Sequence, residues 1–441
     1  MVRYNNISKK QYFETIMKFK QIRGFHDILP EKIKRWQYIE QCARDTFESY
    51  GFNEIRIPVL EFTGIYQTGI GSTTDIVEKE MYTFEDRDGS NVSLRPEGTA
   101  GVVRSYIENS MGKKTSTTKL YYIGPMFRHE RPQKGRFRGF NQIGCEYFGS
   151  PSPNADVEVI KMLWQFFENI GFAGSVKLEI NSIGDEASRK NYKNALLKYL
   201  NPFNEELCEE CRRKLVTNPL RILDCKKEEC VKITVKAPDI IDFLTPDSRE
   251  HFDRLINIFD SLSVPYEINS RIVRGLDYYT ETVFEFTTDK LGSQNAVAAG
   301  GRYNGLVEQM GGPSTPAIGF ALGLERIIIL HESLVKDGFE PEAEIFIAWM
   351  GENAFIEGFK IANEIRKSKK TVFMEHDQKS LKSQLKRADR LNARYAIIIG
   401  EEEIESGIVT IRDMSESTEI KAESNNLDKI LELIGKDTQL S

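Results

Sequence analysis

The chain has 441 residues, 40% hydrophobic and 29% charged, a balance expected of a soluble globular protein with room for two or three domains. Its formal net charge of −6 excludes a globally basic nucleic-acid surface, so any RNA contact must rest on local basic patches. No apolar run approaches the roughly 20 residues that span a bilayer. The first residues carry no apolar signal core. Six cysteines with no other sign of secretion point to reduced thiols in the cytoplasm.

In chain order, Phe13, Ile16 and Met17 fall on one helical face, so residues 1–20 read as an extension with a short helix. Ile33, Trp36, Ile39, Ala43 and Phe47 recur at helical spacing between Glu31 and Tyr50, and Gly51 stops the run. Asn53 to Ile57 reads as a strand ended by Pro58, which cannot donate to a ladder. Met81–Glu85 and Val92–Arg95 flank Asp86-Arg87-Asp88-Gly89, a hairpin signal. The second strand runs into Arg95-Pro96-Glu97-Gly98-Thr99. Alone, these five residues read as a turn with a solvated glutamate; held at a strand end, the same carboxylate suits an ammonium group.

Leu120 to Phe148 reads LYYIGPMFRHERPQKGRFRGFNQIGCEYF. Two aromatic-rich runs flank the basic loop Arg131 to Arg136, which predicts a hairpin with a basic tip. Alternation puts Gly124, Arg128 and Glu130 on one face of the first run, and Gln142, Gly144 and Glu146 on one face of the second. Arg128, Glu130, Gln142 and Glu146 interrupt otherwise good sheet sequence. Two glycines among them predict a floor for a flat or compact polar ligand.

Val176 to Ser182 reads as a strand. Asp185 to Phe259 is rich in charge and reads as helices and loops. It contains Cys208-x2-Cys211 and Cys225-x4-Cys230. Four cysteines can make a tetrahedral zinc site. The second spacing is unusual and no histidine supports it, so the favoured reading is four reduced thiols near Leu and Ile, with no metal assigned. Tyr266 to Ser270 returns to strand texture. Arg274-Gly275-Leu276-Asp277-Tyr278-Tyr279 precedes the alternating strand Glu281–Phe286, and Ala298-Ala299-Gly300-Gly301-Arg302-Tyr303-Asn304-Gly305 leads small-residue backbone into a polar cluster. Pro316 to Leu330 reads as a strand meeting a helix near Gly323, with Arg326 in the helix's first turn. A cation there opposes the helix dipole, a cost that an anionic ligand offsets. Beyond Pro341, Glu344–Trp349, Thr371–Met374, Ala396–Ile399 and Ile408–Ile411 read as short strands, with helices over Asn353–Ser368 and Ser380–Leu391. This predicts a small α/β domain with parallel strands. Lys379, Lys382, Lys386, Arg387, Arg390 and Arg394 form a basic row there. Such a row is ordinarily a solvated face; it also suits RNA phosphate.

The stretch FRHERPQKGRFRGFNQIGCE resembles the second signature motif of class II aminoacyl-tRNA synthetases, in the histidyl-tRNA synthetase form. It departs from that form at Gly139 and Asn141. LRPEGTA, RGLDYY and AGGRYNG resemble further stretches of the same family. The helix, strand and Pro58 near the start resemble the first class II motif, and PAIGFALGLERIIIL the third. The resemblance spans nearly the whole chain after about residue 20. It implies an α+β catalytic domain with an antiparallel class II synthetase sheet, a helical insertion and a C-terminal α/β anticodon-binding domain. Residues 21–184 and 262–335 would form the catalytic domain, 185–261 the insertion and 341–441 the anticodon domain.

The resemblance further implies ATP-dependent activation of L-histidine, followed by transfer to tRNA(His), in a cytoplasmic homodimer with no membrane contact. Arg128 and Arg274 would be catalytic. Glu97, Gly98, Thr99, Arg128, Gln142, Glu146, Arg274, Tyr278, Tyr279 and Tyr303 would bind histidine. Arg128, Glu130, Arg136 and Arg326 would bind ATP, with Mg²⁺ on its phosphates. Arg131, Gln133, Lys386 and Arg390 would meet tRNA. The alternative is a non-catalytic paralogue that binds histidine and regulates a biosynthetic enzyme. Such paralogues tend to lack the C-terminal domain and to lose the arginine of RGLDYY; both features are present here.

Overall fold

The computed structural model describes residues 20–71, 74–133, 135–272, 278–292, 295–336, 339 and 345–435. The helix expected around Phe13 to Met17, and Arg274 with it, lie outside the described residues. The chain divides into two units, Met1–Leu29 with Arg35–Asp337, and Gly338–Ser441 with Pro30–Lys34.

In chain order the strands of the first unit are β1 (Asn53–Glu54), β2 (Leu60–Phe62), β3 (Tyr82–Glu85), β4 (Asn91–Leu94), β5 (Thr118–Phe127), β6 (Gly139–Phe148), β7 (Lys177–Ser182), β8 (Glu267–Ile268), β9 (Thr280–Thr287), β10 (Ala296–Arg302) and β11 (Ala317–Gly323). Among the described residues, eight of them form a sheet in the order β1-β5-β6-β11-β10-β9-β7-β8. Its interior pairs are antiparallel, and the edge strands β1 and β8 pair in parallel. A second sheet runs β2-β4-β3.

Alternation gives the large sheet two different faces. Tyr121, Cys145 and Phe320 lie in register across β5, β6 and β11 and face an apolar layer. There Phe47 sits at the centre, with ring centroids 5.6 Å from Tyr121, 5.9 Å from Phe166 and 5.7 Å from Phe320. Phe47 belongs to the helix Pro30–Ser49, which buries Trp36, Ile39, Ala43 and Phe47, and Phe166 to the helix Pro153–Asn169. Ser152 caps the second helix by accepting from the Asn154 amide at 3.2 Å, and Pro153 occupies its first turn. The opposite face carries Tyr122, Gly144 and Ala321 in register, and the candidate site lies on that side.

The strand expected from Asn53 to Ile57 is limited to two residues. The Arg95 guanidinium takes the Ile57 carbonyl at 2.6 Å and the Pro58 carbonyl at 3.3 Å, so these acceptors serve a side chain and not a ladder. The strand expected over Tyr266–Ser270 is likewise short, Glu267–Ile268. Between β7 and β8 lie the helices Glu186–Leu200, Glu209–Thr217, Glu228–Thr234 and Pro246–Ser261, with 3₁₀ turns between them.

The second unit holds β12 (Ile345–Trp349), β13 (Val372–Met374), β14 (Tyr395–Ile399), β15 (Ile408–Asp413) and β16 (Glu419–Glu423), in the order β13-β12-β14-β15-β16. The first three are parallel, but β15 runs antiparallel to β14 and β16 antiparallel to β15. The expectation of parallel strands throughout is therefore corrected. The helix Glu401–Ser406 has only six residues and ends at Gly407 in the left-handed region (φ 67°). So short a connection returns the chain beside β14; a parallel crossover needs a dozen or more residues. The helices Glu352–Lys367 and Leu381–Arg390 serve separate apolar clusters, through Ile361 and Ile365 and through Ala388.

One buried charge pair holds the first unit's site strands to its helices. Asp156 and Arg302, both fully buried, approach to 2.6 Å. Arg302 also donates to the carbonyls of Ser150 (2.9 Å) and Ser152 (2.6 Å). Asp156 accepts from the Thr282 hydroxyl at 2.7 Å, and His251 Nε2 lies 2.8 Å away. Breaking such a pair leaves an uncompensated charge inside, which costs about 3–5 kcal/mol. Asp156→Asn is therefore expected to lower unfolding stability by about that amount in chemical denaturation, with replacement of both residues by apolar ones recovering part of it. A loss under about 1 kcal/mol for Asp156→Asn would contradict this role.

Candidate active site

Three rows of small residues cross the open face of the sheet. Gly323, Gln142 and Gly124 form one; Ala299, Ala321, Gly144 and Tyr122 the next; Gly301, Gly319, Glu146 and Leu120 the third. The glycine floor expected on the hairpin thus extends into β10 and β11. Its glycines serve a different purpose from the one predicted, because protein side chains fill the space they leave. A Cβ on Gly144 would lie 2.4 Å from the Tyr122 hydroxyl, and one on Gly124 would lie 2.6 Å from the Arg95 guanidinium. A Cβ on Gly319 would lie 2.0 Å from Glu146 Oε2 and 2.3 Å from the Cys145 carbonyl. Gly139, where the chain departs from the resembled motif, faces the Phe25 ring at 2.6 Å from an added Cβ. Asn141, the other departure, gives both its amides to Glu325 Oε1, at 2.8 and 3.1 Å.

Two cavities meet on this floor. The first, of about 210 Å³, is lined by Arg128, Glu130, Arg136, Phe140, Glu325 and Arg326, with the small residues Ala296 to Ala299. Glu130 accepts from Arg136 at 3.0 Å and lies 3.9 Å from Arg128. Arg326 is anchored by the carbonyls of Ala296 (2.6 Å) and Gly135 (3.2 Å). Burial and the nearby positive charge of Arg136 lower its pKa. Three guanidinium groups around one cavity make an anion site, and the flat Phe140 ring and small residues leave room for a planar group. Burial lifts Glu325 to about 7, against the hydrogen bonds from Asn141. Its Oε2 is buried with no hydrogen-bond partner.

The second cavity, of about 170 Å³, is lined by Glu97, Thr99, Arg128, Gln142, Glu146, Tyr278, Tyr279 and Tyr303. Arg128, Gln142, Ala299 and Ala321 line both cavities. Arg128 is fixed at this junction by donating Nε to the Pro96 carbonyl at 2.8 Å and lies over the Phe140 ring at 5.4 Å. A group bound in one cavity can therefore react with a group bound in the other beside a fixed positive charge.

Glu146 lines the second cavity and is 1% exposed. Thr99 donates to Oε1 at 2.7 Å and Tyr303 to Oε2. Burial nevertheless pushes its pKa up to about 8, which favours the protonated carboxyl at neutral pH. Glu97 is also buried, contrary to the solvated glutamate that its turn sequence suggests. Both its oxygens accept backbone amides, from Thr99 and Ala100 at 2.8 Å each, at the start of the helix Thr99–Glu108. Burial raises its pKa as well. Gln142 Oε1 is buried without a hydrogen-bond partner and belongs to the cavity lining. The rings of Tyr278 and Tyr303 meet edge-on at 5.7 Å.

The structure thus gathers Glu97, Thr99, Gln142, Glu146, Tyr278, Tyr279 and Tyr303 in one cavity, Glu130, Arg136 and Arg326 in the other, and Arg128 in both. Gly98 begins the helix at Thr99, its Cα facing the Tyr122 ring. Arg131 and Gln133 are exposed on the hairpin loop, where Gln133 and Arg136 close a tight turn. Lys386 and Arg390 are exposed on the helix Leu381–Arg390 of the second unit. Lys379 and Arg387 from the same basic row are paired with the buried Glu375. Sequence reasoning passed over Phe140, Ala321 and Gly319. The signal for Gly319 and Ala321 was the small-residue alternation of IGFALG, legible only once β11 is known to lie beside β6.

The family model for histidyl-tRNA synthetase matches residues 24–327, and the model for an anticodon binding domain matches residues 344–436. A histidine–tRNA ligase of Trichlorobacter lovleyi is 48% identical over 398 residues, covering 90% of this chain and 94% of that protein. The ligase of Geobacter sulfurreducens is 46% identical over 400 residues, 91% and 96% of the two chains. The structure of apo histidyl-tRNA synthetase from S. aureus superposes with a TM-score of 0.79 at 37% identity, covering 93% of this chain and 99% of that one. An ATP phosphoribosyltransferase regulatory subunit/histidyl-tRNA synthetase from Bacillus halodurans shares the fold at 20% identity, with a TM-score of 0.63 over 87% of this chain and 99% of that one.

The raised pKa of Glu146 has a direct consequence for stability. Between its ordinary value near 4.5 and its folded value near 8, the unfolded chain has lost the proton and the folded chain keeps it. Burying this carboxyl therefore destabilises the fold progressively as pH rises through that window, on the order of a few kcal/mol. Below about 4.5 the contribution is absent. Glu146→Gln removes it, so the variant should gain stability relative to its parent between pH 5 and pH 8 when both are followed by chemical denaturation. Parallel pH profiles would contradict the protonated state.

Proposed function

The chain belongs to the histidyl-tRNA synthetase family, and from that premise we propose that it activates L-histidine with ATP and transfers it to the 3′ end of tRNA(His). It is an aminoacyl-tRNA synthetase, a ligase. The observation that carries the mechanism is the pair of cavities joined at Arg128 and Gln142. Relatives named as ligases align across nine-tenths of the chain at 46–48% identity, which favours catalysis over the regulatory alternative.

In this reading ATP occupies the cavity of Arg128, Glu130, Arg136 and Arg326, with Arg326 at the terminal phosphates and Arg128 at the α-phosphate. Glu130 and Arg136 hold the adenine and phosphate ends, and Phe140 offers the base a flat surface. Histidine occupies the other cavity. Its ammonium meets Glu97, Thr99 and Gln142, whose buried Oε1 gains a donor. Its imidazole meets Glu146 and Tyr279, with Tyr278 and Tyr303 as walls. The proton on Glu146 and the lone pair of a neutral imidazole form a matched pair; its transfer gives a carboxylate beside an imidazolium. Arg274, outside the described residues, bridges the histidine carboxylate and the α-phosphate.

The first step is attack of that carboxylate on the α-phosphate, forming histidyl-adenylate and releasing pyrophosphate. A carboxylate is already ionised at neutral pH, so the step needs no general base. Position and charge stabilisation supply the rate. Mg²⁺ would neutralise phosphate charge, and the Glu325 oxygen that has no hydrogen-bond partner is a hard oxygen ligand in the lining of this cavity that suits it. In the second step Arg131 and Gln133 meet tRNA near the catalytic site. Lys386 and Arg390 meet it through phosphate contacts on the second unit. The working form is a cytoplasmic homodimer whose interface includes the helix and strand leading to Pro58.

Two measurements test the assignment. Glu146→Gln leaves an imidazole nitrogen without its charged partner, and sites built on buried polar partners reject mismatched ligands strongly. Its histidine Kd should rise by about 10²-fold or more while ATP affinity stays within a few-fold. Equal losses would remove Glu146 from the histidine pocket. Arg274→Lys substitutes a point charge for a fork that spans two anions. Single-turnover adenylate formation at saturating histidine and ATP should slow by about 10²–10³-fold; a near-normal rate would remove Arg274 from the chemistry.

A further inference from the structure

The four cysteines of the segment between β7 and β8 converge, although 22 residues separate the first from the last. Their Sγ atoms all lie within 4.8 Å of one another. Cys208 is the N-cap of the helix Glu209–Thr217 and Cys211 lies one turn inside it. Cys225 follows the 3₁₀ turn Pro219–Ile222, and Cys230 lies in the first turn of the helix Glu228–Thr234. The Cys208 amide also donates to Cys230 Sγ at 3.3 Å, which ties the two helix starts together. Cys208, Cys211 and Cys230 are buried, Cys225 is half-buried, and none is in a disulfide.

We propose that Cys208, Cys211, Cys225 and Cys230 bind one Zn²⁺ in a closed tetrahedral site that holds this segment together. Four thiolates at Zn–S distances of about 2.3 Å stand about 3.8 Å apart, a separation these sulfurs reach by small side-chain movements. The all-sulfur set selects a soft or borderline cation over Mg²⁺ or Ca²⁺. With four protein ligands no position remains for water or substrate, so the site is structural and not catalytic. The need for it is visible locally. The two helices that carry Cys211 and Cys230, the first capped by Cys208, have nine and seven residues, lengths that are marginal without tertiary support. Their apolar neighbours, Leu207, Leu215, Ile222 and Ile233, pack around the sulfurs. Apolar packing alone gives no reason for all four thiols to point at one another.

The test uses the full chain, purified without chelator, with metal measured by plasma mass spectrometry. Roughly one zinc per chain is expected. Replacing zinc with Co²⁺ should give sulfur-to-cobalt charge-transfer absorption and intense visible bands of a tetrahedral thiolate site. Cys225→Ser, at the half-buried corner, should lose most of the zinc and speed proteolysis between residues 207 and 234, while Cys42→Ser retains both metal and protection. A readout independent of any variant is the parent's thiol reactivity. With zinc the four thiols resist a disulfide reagent until a chelator is added. The proposal is overturned if the parent holds less than about 0.1 zinc per chain after incubation with zinc and shows no cobalt–thiolate bands. It is equally overturned if mass spectrometry finds the four cysteines in disulfides.

Discussion

A carboxyl group sealed inside a sheet is the constraint around which the site is built. Glu146 is 1% exposed, and such a group is tolerated only with hydrogen bonds and room. Gly319 on the adjoining strand provides the room, since any Cβ there would strike both the carboxyl and a backbone oxygen. Thr99 and Tyr303 provide the hydrogen bonds. Thr99 is placed by a helix whose first amides are held by Glu97. Tyr303 follows Arg302, which is locked to Asp156. Each buried polar group thus fixes a donor that the next one needs.

The same principle governs the arginine-rich cavity. Three arginines converge on one cavity of a chain with a formal net charge of −6. Their mutual repulsion is offset by Glu130 and by backbone carbonyls that accept from Arg326. An anion entering this cavity replaces a weak arrangement with a strong one, because guanidinium binds phosphate through paired hydrogen bonds. The arginine-rich cavity and the cavity of buried carboxyls and tyrosines are therefore separate and share the junction residues Arg128 and Gln142.

What could be read from sequence was the local part. The β5–β6 hairpin announces itself by alternation and a basic tip, and its register puts Gly124 opposite Gln142 as the shared face implies. The helix starting at Leu324 and the strand Thr280–Thr287 lie where their patterns indicated. The rest depended on neighbours distant in sequence. Gly144 gives way to Tyr122 and Gly139 to Phe25, and no periodicity names such partners. Glu97 looked solvated because a five-residue window cannot show that it caps a helix under the sheet. Arg302 sat in a stretch that drew attention to function, yet its guanidinium serves the fold. The antiparallel β15 and β16 were hidden by the parallel pattern of the strands before them.

The central claim is that the cavity of Glu97, Glu146 and the tyrosines selects histidine for reaction with ATP at Arg128. The most direct measurement is amino-acid-dependent exchange of pyrophosphate into ATP, run on the full chain with each of the twenty amino acids in turn. The account predicts exchange with histidine alone. Exchange with a different amino acid, or none with any while the chain remains folded and binds ATP, would contradict it.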